Sequence, residues 1–138
     1  CTALKSVVLP DGLTKIYDGM FEGCSALTSV TFPTALTIIK SSAFGSTALK
    51  KVILPVGLTT IEKCAFAGAK IEELYIPSTV TMLGWLSFEN CMNLKKITMP
   101  NSLKDDVEML FSAFQCDTYY MFNMSPDPET WTIFTWID

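Results

Sequence analysis

Cysteines carry the most reactive side chains of this sequence, and there are five of them, Cys1, Cys24, Cys64, Cys91 and Cys116. A catalytic thiolate needs a neighbouring base, usually histidine, and the chain of 138 residues contains no histidine. A zinc site needs four converging ligands, and the sequence has no CxxC pair that could begin one. The cysteines therefore predict neither a nucleophilic centre nor a metal site.

The charged residues exclude further classes of protein. Arginine is absent, and ten lysines against fourteen aspartates and glutamates give a net charge of −4. Nucleic acids and anionic membranes attract basic surfaces, so neither is expected as a partner. The sequence also lacks a glycine-rich phosphate loop, a nucleophile elbow, calcium-loop spacing and an apolar run long enough to span a bilayer. We therefore expect no enzymatic activity, no cofactor and no membrane insertion.

What the sequence does contain is an internal repeat. The prolines Pro10, Pro33, Pro55, Pro77 and Pro100 are spaced by 23, 22, 22 and 23 residues. Six apolar columns keep the same register: Leu4, Leu27, Leu49, Ile71 and Leu94; Val7, Val30, Val52, Leu74 and Ile97; Leu9, Phe32, Leu54, Ile76 and Met99; Leu13, Leu36, Leu58, Val80 and Leu103; Ile16, Ile39, Ile61 and Leu83; Phe21, Phe44, Phe66 and Phe88. This period indicates a solenoid, in which each repeat is one coil that buries its apolar residues against the neighbouring coils.

Each part of the repeat predicts one part of a coil. The alternating V-x-L predicts a short strand, and stacked coils align these strands in a parallel sheet. Proline ends that strand, and L-T-x-I predicts a second extended arm. The A-F-x-x-C arc predicts a short helical or 3₁₀ turn on the opposite side. The threonine column, Thr14, Thr37, Thr59 and Thr81, predicts a packing or hydrogen-bonding ladder.

The unit L-x-x-V-x-L-P-x-x-L-T-x-I-x-x-x-A-F-x-x-C resembles the Treponema-type, or BspA-like, leucine-rich repeat over residues 1 to about 103. The alanine position departs at Met20 and Ser87, and the cysteine position at Thr47 and Ala69. The resemblance implies a leucine-rich-repeat solenoid of the β-rich α/β class, with about five coils that begin near Leu4, Leu27, Leu49, Ile71 and Leu94. It also implies a surface protein of a bacterium or protist that binds host proteins or other cells.

Cys1, Cys24 and Cys91 share one inward column with the small residues Thr47 and Ala69, so cysteine there predicts a small buried apolar side chain. Neighbouring Cβ atoms of a sheet lie about 4.8 Å apart, which is long for a disulfide between Cys1 and Cys24. We therefore expect free thiols. The same column places Cys1 inside a coil, and we expect the chain to be a fragment of a longer repeat protein.

Strand residues between the inward columns face outward and form the candidate binding surface. Consecutive coils carry two lysines at 50–51, two glutamates at 72–73 and two lysines at 95–96. These should pair across neighbouring strands at roughly 0.2–1 kcal/mol each. One interpretation is that the pairs only maintain the register of a solvated sheet. The other is a protein-binding face, with candidate contacts at Lys51, Ile53, Glu73, Tyr75, Lys96 and Thr98.

Residues 104–138 break the pattern of the solenoid predicted for residues 1–103. The segment 105–138 holds seven acidic residues and no lysine. Asp105 and Asp106 predict the start of a helix. An alternative register treats Ala113-Phe114 as the A-F pair of a fifth coil with about three residues inserted. The sequences TYYMF and TWTIFTWI are strand-like, with a turn at SPDPE between them. Trp131, Phe134 and Trp136 predict an aromatic, acidic cap on the apolar end of the solenoid, and the alternative is an acidic aromatic docking patch.

These observations favour a non-enzymatic protein-binding or adhesion module that contacts its partner through the exposed sheet face. A cell-surface or secreted location follows only from the family resemblance. The alternative is a structural spacer within a larger surface protein, with no ligand of its own.

Overall fold

The computed structural model describes residues 1–114 and 133–138, and its strands recur once per coil. The front strands are β1 (Ser6–Val8), β3 (Ser29–Thr31), β5 (Lys51–Ile53), β7 (Glu73–Tyr75) and β9 (Lys96–Pro100). The side strands are β2 (Lys15–Ile16), β4 (Ile38–Ile39), β6 (Thr60–Ile61) and β8 (Met82–Leu83). The strands pair in parallel with the equivalent strands of adjacent coils, apart from one break between β3 and β5. The predicted leucine-rich-repeat solenoid is thereby confirmed.

The core lies between the two sets of strands and consists of the inward columns. Leu27, Leu36, Ile39, Leu58 and Ile61 are fully buried. The phenylalanine column forms one continuous stack, in which Phe21, Phe44, Phe66, Phe88 and Phe114 follow one another with ring centroids 5.2, 5.2, 5.3 and 4.9 Å apart. These separations lie within the range in which offset aromatic rings attract each other. Each coil therefore contributes one ring to a column that runs through the solenoid.

The arc that contains the A-F pair is a succession of turns, so the predicted helical or 3₁₀ turn is wrong there. Two residues of each arc have positive φ: Gly19 and Gly23, Ser42 and Ser46, Cys64 and Gly68, Leu86 and Asn90. A left-handed residue interrupts a right-handed helix and turns its neighbours' amides toward the next coil. The result is a third ladder between coils, in which the amides of Phe21, Phe44 and Phe66 donate to the carbonyls of Ala43, Ala65 and Ser87 at 2.7–2.8 Å.

The threonine column forms the predicted hydrogen-bonding ladder. The hydroxyl of Thr37 donates to the Thr14 carbonyl at 3.0 Å, and the hydroxyl of Thr59 donates to the Thr37 carbonyl at 3.1 Å. Each of these threonines also donates its backbone amide to the same carbonyl of the preceding coil. The repeated threonine therefore joins adjacent coils at the entrance to the side strands.

The front strands form two separate sheets. β1 pairs with β3, and β5, β7, β9 and a later strand form the second sheet. Within residues 1–114 no ladder joins β3 to β5, although β4 and β6 of the same two coils are paired. The period did not predict this break, because the spacing of 22 residues there equals the spacing between β5 and β7.

The fifth coil departs from the others after its front strand. A 3₁₀ turn at Asn101–Leu103 leads into the helix α1 (Val107–Phe114), and the Asp106 carboxylate accepts a hydrogen bond from the Met109 amide at 3.0 Å. The predicted helix start is therefore confirmed. The alternative register is also correct, because Ala113 is fully buried and its carbonyl accepts the Phe88 amide at 2.9 Å, as the alanines of earlier coils do.

The strand β10 (Ile133–Ile137) pairs in parallel with β9, which confirms the strand prediction for the TWTIFTWI segment at these residues. Trp136 packs against the core, half-buried. Trp131 and the TYYMF segment lie outside the described residues, and the division of the chain at residues 103 and 104 stays a prediction. In the described ranges, no helix has the length and apolar character that crossing a membrane requires.

Candidate functional site

The candidate site lies on the outward side of β5, β7 and β9. Alternation along each strand points one residue in three inward and leaves the two flanking residues outward. The register places Lys51, Glu73 and Lys96 in one row and Ile53, Tyr75 and Thr98 in the next. All six predicted contact residues therefore lie together on three adjacent strands.

These six residues surround a shallow depression of about 230 Å³, which we call the front depression. Val52 and Leu74 also line it, although both belong to the inward columns and are buried. The sequence pattern missed them because a residue that points into the core still exposes backbone between its two outward neighbours. The alternation along the strands would have been enough to predict this contribution of Val52 and Leu74 to the depression.

Two ion pairs join the third and fourth coils, one between β5 and β7 and one between the residues just before these strands. The Lys51 ammonium lies 3.3 Å from the Glu73 carboxylate, and Lys50 lies 3.6 Å from Glu72. The predicted pairing between these two coils is confirmed. Lys50, Lys51 and Glu73 are exposed to water and Glu72 is partly exposed, so each pair contributes little to folding and chiefly fixes the direction of the charges.

The predicted pairing with the fifth coil is wrong for the part of the chain that the structure describes. Lys96 stands opposite Glu73 in register, but the only ion pairs among the described residues are those of Lys50 and Lys51. Each glutamate carboxylate already has a lysine of the preceding coil beside it. Lys95 and Lys96 consequently keep their positive charges without a carboxylate among residues 1–114 and 133–138.

Apolar surface adjoins these charges. Ile53 is 58% exposed on β5, the edge strand of its sheet, and half-buried Tyr75 is its neighbour in register. An isoleucine exposed beside an aromatic ring is a feature of protein contact surfaces, where such pairs act as anchors. The front depression thus combines an apolar half with a charged half.

An exposed aromatic residue also lies away from the front strands. Trp85 is 55% exposed, and the Lys63 ammonium lies 5.0 Å from the centroid of its ring, within the range of a cation–π contact. The sequence analysis did not single out this pair. The signal was present, because the residues at the position of Trp85 in the preceding coils are Asp18, Ser41 and Lys63, all polar.

The cysteines do not contribute to the site. Cys1, Cys24, Cys64 and Cys91 are free thiols, and Cys116 lies outside the described residues. Cys24 is buried in the small-residue column, as predicted, whereas the prediction is wrong for Cys1, which is exposed. Cys91 is half-buried and donates its S–H to the Phe66 carbonyl at 3.3 Å. Desolvation by burial raises the pKa of the Cys91 thiol to about 12, and the backbone of Ala69 offsets this rise only in part. Among the described residues no group of acidic, cysteine or histidine side chains could hold a metal ion.

Comparison with known families gives one match. Residues 1–118 match the BspA type leucine rich repeat region in six copies. The match thus extends beyond residue 103, into α1, which agrees with the place of Phe114 in the phenylalanine stack. A search of curated proteins found no match.

Solved structures of bacterial leucine-rich repeat proteins are similar to this chain. A leucine-rich repeat protein from Bacteroides ovatus is 32% identical with a TM-score of 0.67, over 70% of this chain and 26% of that one. The leucine-rich repeat protein of T. pallidum has 26% identity and a TM-score of 0.67, over 71% of this chain and 47% of its own. The pneumococcal vaccine antigen PcpA has 26% identity and the same TM-score, over 72% of this chain and 25% of its own. The chain therefore spans between a quarter and a half of the length of these proteins.

Proposed function

The chain belongs to the BspA-type leucine-rich repeat family, and we propose that it is a protein-binding module that contacts its partner through the front depression. We further propose that it acts in adhesion, on the cell surface or as part of a secreted protein. One of the similar structures is of a vaccine antigen, PcpA, and this supports the proposed location. A solenoid of this kind is typically a non-enzymatic scaffold that offers an extended sheet to a partner.

The observation that carries the proposal is the exposed Ile53 next to the half-buried ring of Tyr75, beside the ion pair of Lys51 and Glu73 on the same sheet. Rigid aromatic and aliphatic side chains ringed by polar groups are the arrangement in which a few residues supply most of an interface's free energy. The size of the depression supports a protein rather than a small molecule. At about 230 Å³ it lies below the roughly 300–1,000 Å³ of ligand pockets, and its lining is open to water.

The test uses two variants that both preserve an ion pair. The front variant exchanges Lys51→Glu with Glu73→Lys and adds Tyr75→Ala. The control variant exchanges Lys50→Glu with Glu72→Lys, a pair immediately before the same two strands that does not line the depression. Circular dichroism and urea unfolding should show that both variants keep the fold, since exposed pairs contribute little to it and Tyr75 lies on the outward side of the sheet, outside the core.

Immobilised wild-type chain, front variant and control variant are then exposed to a surface-protein extract of host cells. We expect the wild type and the control to retain the same protein, and the front variant to lose it. With the retained protein purified, calorimetry should show affinity reduced at least about 30-fold for the front variant, as for an anchor residue. Equal retention by all three chains would place binding elsewhere. Retention of nothing above a blank surface would favour the structural spacer.

A further inference from the structure

The front strands carry an excess of positive charge. Their two outward charged rows hold five lysines, Lys5, Lys50, Lys51, Lys95 and Lys96, against two glutamates, Glu72 and Glu73. Both glutamates are already paired, with Lys50 and Lys51. A partner that approaches this face therefore meets a positive field although the whole chain carries a net charge of −4.

Within the front depression the available positive charge is that of Lys96. Lys51 also lines the depression, but its ammonium is 3.3 Å from Glu73 and its field is largely cancelled. Lys96 is exposed and has no carboxylate partner among residues 1–114 and 133–138. One ammonium without a counter-charge matches one carboxylate of a ligand.

The apolar anchor lies at a defined distance from this ammonium. Tyr75 is opposite Thr98, and Lys96 precedes Thr98 by two residues on the same strand. Two residues along a strand and one strand across separate the Cα atoms of Lys96 and Tyr75 by about 8 Å. In an extended peptide, side chains two residues apart lie on one face and about 7 Å apart. The two spacings agree within the reach of a flexible lysine side chain.

We infer that the front depression binds an extended protein segment in which a carboxylate lies two residues from an apolar side chain. The apolar side chain contacts Ile53 and Tyr75, and the carboxylate accepts hydrogen bonds from the Lys96 ammonium. The inference rests on the proposed function, since it names the chemistry of the partner at the same site. It adds that the contact depends on charge, and on one lysine in particular.

The test uses random peptides displayed on phage as the probe and the immobilised chain as the bait. Three single variants serve as counter-baits: Lys96→Gln, its matched control Lys95→Gln, and Tyr75→Ala. Lys95 is exposed on the same strand end but does not line the depression. We expect the enriched peptides to carry aspartate or glutamate two positions from an aliphatic or aromatic residue.

Enriched peptides, synthesised individually, should bind Lys96→Gln roughly tenfold more weakly than wild type, and bind Lys95→Gln as wild type does. The difference should shrink as salt rises toward about 0.5 M, because salt screens an exposed charge pair. Tyr75→Ala should abolish binding of the same peptides.

The outcomes separate the two proposals. Peptides that need Tyr75 but show no acidic preference and ignore Lys96→Gln would overturn the charge inference and leave the binding face in place. Peptides that bind all variants equally, or no enrichment at all, would overturn both the inference and the proposed function.

Discussion

Ser87 is the one described side chain whose buried oxygen lacks a hydrogen-bond partner. It occupies the alanine position of the A-F pair, where Ala43, Ala65 and Ala113 are all fully buried. A buried hydroxyl without a partner costs about 1–3 kcal/mol. We therefore expect Ser87→Ala to raise the free energy of unfolding by about 1 kcal/mol, measured by urea denaturation.

Thr47 provides the matched control for this prediction. It is as buried as Ser87, but its hydroxyl donates to the Phe44 carbonyl at 2.9 Å. Thr47→Val preserves the shape and removes that hydrogen bond, so it should lower the free energy of unfolding by about 1 kcal/mol. If Ser87→Ala and Thr47→Val change the free energy of unfolding in the same direction, the conclusion that the Ser87 hydroxyl lacks a hydrogen bond is wrong.

Cys91 makes the stability of the chain depend on pH in the alkaline range. Burial raises its pKa from 9.0 to about 12, so the folded chain keeps this proton where the unfolded chain has lost it. Its contribution to stability is complete below pH 9 and is lost as pH rises from there toward about 12. Urea midpoints should fall more steeply above pH 9 for wild type than for Cys91→Ala. Parallel curves for the two chains would contradict this prediction.

At neutral pH, iodoacetamide should modify exposed Cys1 well before Cys91 in the folded chain, as mass spectrometry can measure.

At the scale of elements, the arc of the fourth coil approaches the third more closely than a side chain permits. The Gly84 amide donates to the Ile61 carbonyl at 2.7 Å, and a Cβ at Gly84 would collide with the Lys63 amide nitrogen and lie 2.5 Å from the Glu62 carbonyl carbon. Both obstacles are backbone and cannot rotate away. Gly84→Ala should therefore lower the free energy of unfolding by about 2–3 kcal/mol, as overpacking does.

The control for Gly84 is Gly12. A Cβ at Gly12 would meet nothing within 4 Å, and its φ is not positive. Gly12→Ala should leave stability unchanged or raise it by up to about 1 kcal/mol, because alanine restricts the unfolded chain. If thermal unfolding shows Gly84→Ala to be equally harmless, the third and fourth coils leave room for a Cβ at this point, and the close approach is wrong.

The elements differ in how far the sequence could predict them. Front and side strands followed from the columns, because each inward residue needs the same column in the next coil. The conformation of the arc did not follow from the columns, because Cys64 and Leu86 adopt positive φ although they are not glycine, the residue that usually indicates positive φ. The stacking of successive coils imposes that conformation, and a single repeat does not display it.

The residues of the candidate site could be predicted from the sequence, but which of their charges form ion pairs could not. Register alone brings Lys51, Glu73 and Lys96 into one row. Glu73 stands opposite both Lys51 and Lys96, and its side-chain rotamer decides which lysine it contacts. The repeat pattern does not specify rotamers. That Lys96 has no carboxylate partner among residues 1–114 and 133–138, on which the partner's chemistry depends, therefore emerged only from the structure.

At the scale of the whole molecule, stability resides in the junctions between coils, since no coil has a core of its own. Two of the four junctions, between the first and second coils and between the third and fourth, combine a front ladder, a side ladder, an arc ladder and a stacked pair of phenylalanines. At the junction between the fourth and fifth coils, α1 packs against β8 in place of a side strand among the described residues. The junction between the second and third coils lacks the front ladder, because β3 and β5 are not paired. It keeps the side ladder, the arc ladder and the stacked rings of Phe44 and Phe66, 5.2 Å apart.

This junction should therefore be the place where the solenoid opens first. Once it opens, the first two coils are too few to remain folded by themselves. Native-state hydrogen exchange can measure the opening through three equivalent arc amides, those of Phe21, Phe44 and Phe66, which bond to the second, third and fourth coils. We expect Phe21 and Phe44 to exchange with one common opening free energy, and Phe66 to exchange with a higher one. Fraying from the end would instead produce three rising steps, with Phe21 lowest. Three equal values would mean that the missing front ladder leaves the molecule fully cooperative.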